Sequence, residues 1–84
     1  MLRDAKLETV QVEPGTVAAG KMISELNLRS QTGASVVGID RSGTSIVNPP
    51  PHEELLSGDQ VLLIGREEQL EAAKTLLAAR HRKS

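Results

Sequence analysis

No Phe, Tyr or Trp occurs anywhere in the 84 residues. This shapes the fold more than any motif does. Any core must be built from Leu, Ile, Val, Ala and Met, each of which buries less area than an aromatic ring. The length allows one small domain, just above the ~70–80 residues below which a lone core is thin. A small domain without large anchors is a candidate for completing its burial by pairing with a second copy. The same absence removes any stacking platform for single-stranded nucleic acid. With 10 basic and 11 acidic residues, the chain also lacks a general field for nucleic acid or anionic membrane. Cysteine is absent too, which excludes disulfides and thiolate metal sites.

The longest apolar runs, four residues as at Val61–Ile64, are far short of the ~20 needed to span a bilayer. The start, MLRDAKLE, has no apolar stretch of the kind a secretion signal carries.

Alternation over residues 7–12 predicts an edge strand with Val10 and Val12 inward, ended by Pro14-Gly15. Met22, Ile23 and Leu26 share one face of a short helix over 19–26, which Thr16 could cap and Asn27 could stop. Residues 28–33 read as a loop closed by Gly33. Residues 34–47 read as a hairpin turning at Ser42-Gly43. Pro49, Pro50 and Pro51 force an extended connection. Ser57-Gly58-Asp59 is a polar turn, in which the Asp59 carboxylate is expected to accept from nearby backbone N–H groups. It feeds a strand over 60–64 that is apolar on both faces. Residues 67–80 carry the strongest helix, with Leu70, Ala73 and Leu77 in register, Glu67 and Glu68 at its start and a basic, solvated end. The order strand, helix, hairpin, strand, helix, with short connections, predicts an α+β fold: a small antiparallel β-sheet with two helices on one face.

One motif looks catalytic. Gly15 to Lys21 fits the spacing of a nucleotide-binding P-loop, G-x-x-x-x-G-K, and Asp40 ends an apolar strand as a magnesium-holding acid would. The hydroxyl that should bind the metal is replaced by Met22, and the chain is too short for the usual nucleotide-binding sheet. The plain reading is a turn glycine and a solvated lysine. His52-Glu53-Glu54 offers three adjacent ligand types, but adjacent side chains diverge. The expectation is no catalytic residue, no metal site and no cofactor.

The ordered set is more specific than its parts: Glu13-Pro14-Gly15, Gly20-Lys21-Met22-Ile23-Ser24-Glu25-Leu26-Asn27-Leu28-Arg29, Thr32 to Arg41, Asn48-Pro49-Pro50-Pro51 and Gly58-Asp59-Gln60-Val61-Leu62-Leu63-Ile64-Gly65. Over about residues 7–78 the chain resembles the TrkA C-terminal domain, also called RCK_C. The resemblance implies one domain over 1–84 with a core of about 7–80, paired into a two-fold homodimer. It implies a non-catalytic regulatory domain of a potassium or other cation transport system. Such a domain works in the cytoplasm at the inner face of the membrane, partnered by a transporter or channel subunit or by a transmembrane region of its own chain.

Some members bind cyclic di-AMP, a nucleotide second messenger, at the dimer interface. By that resemblance Ile23 and Leu28 would be apolar walls, Arg29 a fork for phosphate, and Pro51 would lie against the base. Ser35 stands where a binder commonly carries a longer amide. For Ile23 and Leu28 the plainer alternative is packing in the domain or dimer core; for Arg29 it is an interface salt bridge. The alternative for the whole chain is a purely structural dimerisation module with no ligand. Neither reading involves nucleic acid.

Overall fold

The computed structural model describes residues 4–81. Its elements run β1 (Lys6–Gln11), α1 (Ile23–Leu26), α2 (Leu28–Thr32), β2 (Ser35–Arg41), β3 (Thr44–Val47), β4 (Gln60–Gly65) and α3 (Glu67–Ala78). The strands form one sheet in the order β1-β4-β2-β3, with every pair antiparallel. The α+β class expected from the sequence is the class observed.

β4 lies between β1 and β2, with Val61 and Leu63 on its buried face. Val10, Val61 and Ile39 stand opposite one another in register, as do Val36 and Leu63. Val61, Leu63 and Ile39 are buried in one core cluster with Leu70, Ala73 and Leu77 of α3. α3 packs on β1, β4 and α2. The other sheet face carries Leu62 and Ile64, half-buried, beside the exposed Leu7.

The hairpin turns where Ser42-Gly43 predicted. Both residues have positive φ, 50° and 84°, as the tight turn that matches strand twist requires. Between Val36 and Gly38 the β2–β4 register slips. The Val37 carbonyl there accepts the Asn48 N–H at 3.1 Å, tying the start of the proline segment to the sheet.

Three local expectations are corrected. First, the helix expected over 19–26 begins only at Ile23. Residues 20 and 21 instead pair with Leu55, through Gly20 N–H to the Leu55 carbonyl at 2.7 Å and Leu55 N–H to the Lys21 carbonyl at 2.8 Å. Thr16 caps nothing; its hydroxyl donates to the Glu13 carbonyl at 2.8 Å, closing the turn around Pro14-Gly15.

Second, residues 28–32 are helical. Asn27, at φ 49°, ends α1 and begins α2 in one left-handed step. A turn and a half is too short to show periodicity. Ser30 and Thr32 also read as loop residues, yet their hydroxyls bond back to the Asn27 and Leu28 carbonyls at 3.1 and 2.6 Å. Third, the prolines are not uniformly extended. Pro51 and His52 form a turn closed by Glu53 N–H to the Pro50 carbonyl at 2.9 Å.

α3 ends at Ala78 rather than Arg80, with Ala79 extended. Beyond it, Arg80 pairs with Thr16, and its guanidinium donates to the Pro14 carbonyl at 3.0 Å. The remainder of the expected basic tail, from Arg82, lies outside the described residues.

Candidate functional site

A shallow groove of about 700 Å³ opens between α1, α2, the start of β2 and the proline segment. Ile23, Leu28, Arg29, Ser35 and Pro51 all line it. The fold brings the five together from four separate stretches of chain. Asn27 makes the bend that turns α2 back beside α1, so that Leu28 faces inward and Arg29 outward. Gly33 then returns the chain into β2, which delivers Ser35. Pro51 is held against α1 by backbone: Ser24 N–H donates to the Pro51 carbonyl at 2.8 Å and Ile23 N–H to the Glu53 carbonyl at 3.0 Å.

The five are not equivalent. Leu28 is buried and belongs to the hydrophobic core; Ile23 is half-buried and packs against that core. Arg29 is exposed, and among the described residues no carboxylate lies within salt-bridge distance of it. A planar guanidinium without an acidic partner at an apolar groove can accept an anion with two oxygens, such as a phosphate. Ala34, Val36 and Pro49 complete the apolar wall. Of these, Ala34 and Val36 could have been found from the strand alternation.

The P-loop spacing does not form a phosphate cradle. The N–H groups of Thr16, Val17, Gly20 and Lys21 are bonded to the carbonyls of Glu13, Ala79, Leu55 and Ala18. A nest needs those donors converging on an anion. Glu53 is engaged by Arg41 at 3.2 Å, and no group of three metal-ligating side chains occurs among the described residues.

The residue that the sequence reading missed is Arg41. Its guanidinium donates to both carboxylate oxygens of Asp59, at 2.9 and 2.8 Å, to Glu53 Oε2 at 3.2 Å and to the Glu54 carbonyl at 2.8 Å. Asp59 is 1% exposed. Burial pushes its carboxyl up, but the Arg41 hydrogen bonds, the Leu56 N–H at 2.9 Å and the Arg41 charge together hold it below the ordinary range. The same contacts push the Arg41 guanidinium higher still. The Leu56 N–H is the backbone donor expected for Asp59. The arginine, 18 positions away, left no local signal.

Together these features describe a small antiparallel α+β module with an open, anion-compatible groove on its helical edge. The TrkA-C domain model matches residues 7–78, and the chain belongs to that family. Among relatives, it is 31% identical over 80 residues to a probable potassium channel protein 2 of Methanocaldococcus jannaschii, covering 95% of this chain and 23% of that protein. The chain therefore spans about a quarter of the length of that curated relative.

Among solved structures, the RCK_C domain dimer of S. agalactiae BusR in complex with c-di-AMP superposes with TM-score 0.78 at 34% identity, over 84% of this chain and 93% of that one. The RCK C domain of the potassium transport protein KtrA, also in complex with c-di-AMP, superposes with TM-score 0.78 at 25% identity, over 86% and 82% of the two chains. A longer BusR chain bound to its busAB-promotor DNA contains the same fold in 35% of its length. Among the described residues no helix is long and apolar enough to cross a membrane.

Proposed function

We propose that this chain is a non-catalytic regulatory domain of a potassium or other cation transport system, and that it pairs with a second copy about a two-fold axis. A small dianionic ligand of the cyclic di-AMP type would bind across that axis. The 84 residues form one such domain, with a core of about 7–80. It acts on the cytoplasmic side through a transporter or channel subunit, or through a transmembrane region of a longer chain. The observation that carries the ligand reading is the convergence of Ile23, Leu28, Arg29, Ser35 and Pro51 on one groove, with Arg29 at its rim facing no carboxylate. Two such rims related by a two-fold axis suit two phosphates. The complexes of BusR and KtrA with c-di-AMP support the reading.

Regulation would work by population shift. A ligand that favours one geometry of the pair biases the linked transporter by its differential affinity for the two states. Nucleic acid plays no part in this reading of the domain itself, whose net charge is −1 and which has no aromatic residue to stack on a base.

The second reading, a dimerisation module without ligand, is favoured by Ser35, whose short side chain reaches less far into the groove than an amide would. Calorimetry of the purified chain with cyclic di-AMP separates the two. A saturable heat at one ligand per two chains supports the first; silence at high micromolar protein, with the dimer intact, leaves the second.

A further inference from the structure

We propose that Arg41 is a positioning residue for the groove: its guanidinium clamps the 53–59 span and so sets where Pro51 and α1 stand. Four hydrogen bonds leave one guanidinium for Asp59, Glu53 and the Glu54 carbonyl. Their acceptors all lie on that single irregular span, whose own backbone ties to the sheet are at its far end. There Gly58 N–H donates to the Val12 carbonyl at 2.7 Å and Val12 N–H to the Asp59 carbonyl at 2.8 Å.

The near end of the span carries the groove. The Glu53 and Pro51 carbonyls accept the Ile23 and Ser24 N–H groups, and Leu55 pairs with residues 20 and 21. A shift of residues 53–55 would therefore move Ile23 and Pro51 together. The opposite wall, Ser35 and Val36, sits at the other end of the strand that bears Arg41. Arg41 thus fixes one wall of the groove relative to the other.

The chemistry argues for placement over adhesion. An apolar pair of similar volume could hold two elements together as well as a buried ion pair does. It would not fix their orientation, because dispersion contacts are not directional. A planar fork aimed at a carboxylate and a carbonyl does fix it, and lysine cannot reproduce the fork. The part of the inference that concerns ligand affinity rests on the reading proposed above; the clamp itself does not.

The test is amide hydrogen exchange by NMR on the 84-residue chain, comparing wild type with Arg41→Lys and, if it folds, Arg41→Met. The Ile23, Ser24 and Leu55 amides should exchange about tenfold faster or more in Arg41→Lys, through a local opening that leaves Val61 and Leu63 far less affected. Unchanged loop amides, or loop and sheet amides accelerated by one common factor, would overturn the proposal, since Arg41 would then add only to global stability. Cyclic di-AMP calorimetry on the same samples should show affinity weakened about tenfold in Arg41→Lys, as expected when a binding wall loses its preorganisation. Wild-type affinity in a variant with a loosened loop would overturn the positioning role. No heat with the wild type would refute the ligand reading, while the exchange data still decide the clamp.

Discussion

The Arg41 guanidinium meets the Asp59 carboxylate edge to edge, Nε to Oδ1 at 2.9 Å and Nη2 to Oδ2 at 2.8 Å. The pair joins the end of β2 to the turn that launches β4. Asp59 also accepts the Leu56 N–H, so one carboxylate serves three donors on two elements. Replacing it with Ala would leave Arg41 and the Leu56 N–H without their acceptor. Removing one partner of a charge-assisted set costs more than the bonds contribute net. Asp59→Ala should therefore destabilise the fold by about 2–4 kcal/mol. Urea denaturation followed by far-ultraviolet circular dichroism, which needs no aromatic reporter, measures this. A loss under about 0.5 kcal/mol, the ordinary surface range, would show that the pair is not structural.

The same carboxylate sets an acid limit. Asp59 ionises more readily in the fold than in the unfolded chain, where its pKa is about 3.9. Between the folded and unfolded values the unfolded chain binds more protons, so stability falls as pH falls. The Asp59 contribution should be fully present above about pH 5 and should be lost on acidification through the folded-state value. Arg41 stays charged throughout. Urea midpoints from pH 7 to pH 3 should fall in the wild type and fall less steeply in Asp59→Asn. Parallel curves would remove Asp59 as the titrating group.

Gly33 is a second point where one residue governs two elements. It ends α2 at φ 87°, and a Cβ built there would run into the side chain of Gln69. Gln69 Oε1 accepts the Arg66 N–H at 2.8 Å at the start of α3, so it can yield only by uncapping that helix. Gly33→Ala should cost about 2 kcal/mol, from left-handed strain plus the displaced cap. Gly43, with positive φ and nothing near its absent Cβ, is the control and should lose only the strain part on substitution. Equal losses at the two sites would count against the Gln69 contact.

These residues show which parts of the molecule could be read from its sequence. The hairpin was legible because Ser42-Gly43 is a local code for a two-residue turn. β4 was legible because it is a continuous apolar run, with Val61 and Leu63 buried and Leu62 and Ile64 half-buried, and α3 because twelve residues display their period. α1 was legible only in part: its apolar face and its stop at Asn27 could be read, but its start was placed four residues early. α2 was not, since it is under two turns and depends on Asn27 adopting a left-handed conformation that Asn permits without requiring. Ile23, Leu28, Arg29, Ser35 and Pro51 were singled out through the family resemblance, and periodicity alone would not have joined them. Arg41 was passed over because a long-range ion pair has no spacing rule. The polar partner at position 59 drew notice as a turn former, while its burial emerges only when β4 takes the centre of the sheet.

Pairing of two copies, proposed above, predicts a use for what the fold leaves uncovered. Leu7 is 60% exposed and Val47 74%, and Ile23 and the prolines keep apolar area open at the groove. The core beneath has no aromatic residue to supply compensating burial. Sedimentation at micromolar concentration should show a species of twice the 9.0 kDa chain mass, dissociating on dilution. An interface of the obligate kind would bury upwards of about 2,000 Å². A monomer independent of concentration would defeat the two-fold arrangement and, with it, any ligand shared between copies.

The ligand prediction turns on the difference between arginine and lysine at position 29. Arg29 is exposed and faces no acidic side chain among the described residues, so replacing it should leave the stability of the fold within about 0.5 kcal/mol of wild type. Its effect should appear in binding alone. A micromolar ligand is held by about −8 kcal/mol. Each charge-assisted contact is worth roughly 1.5–3 kcal/mol, and a two-fold site contains two of them. Arg29→Ala should then weaken binding by several kcal/mol, beyond the reach of calorimetry. Arg29→Lys keeps the charge and loses the planar fork, and should retain only part of the affinity. If lysine bound as well as arginine, the residue would be acting as a point charge. If Arg29→Ala bound like the wild type, the anion would have to be held elsewhere, and the groove of Ile23 and Pro51 would serve contact between copies instead.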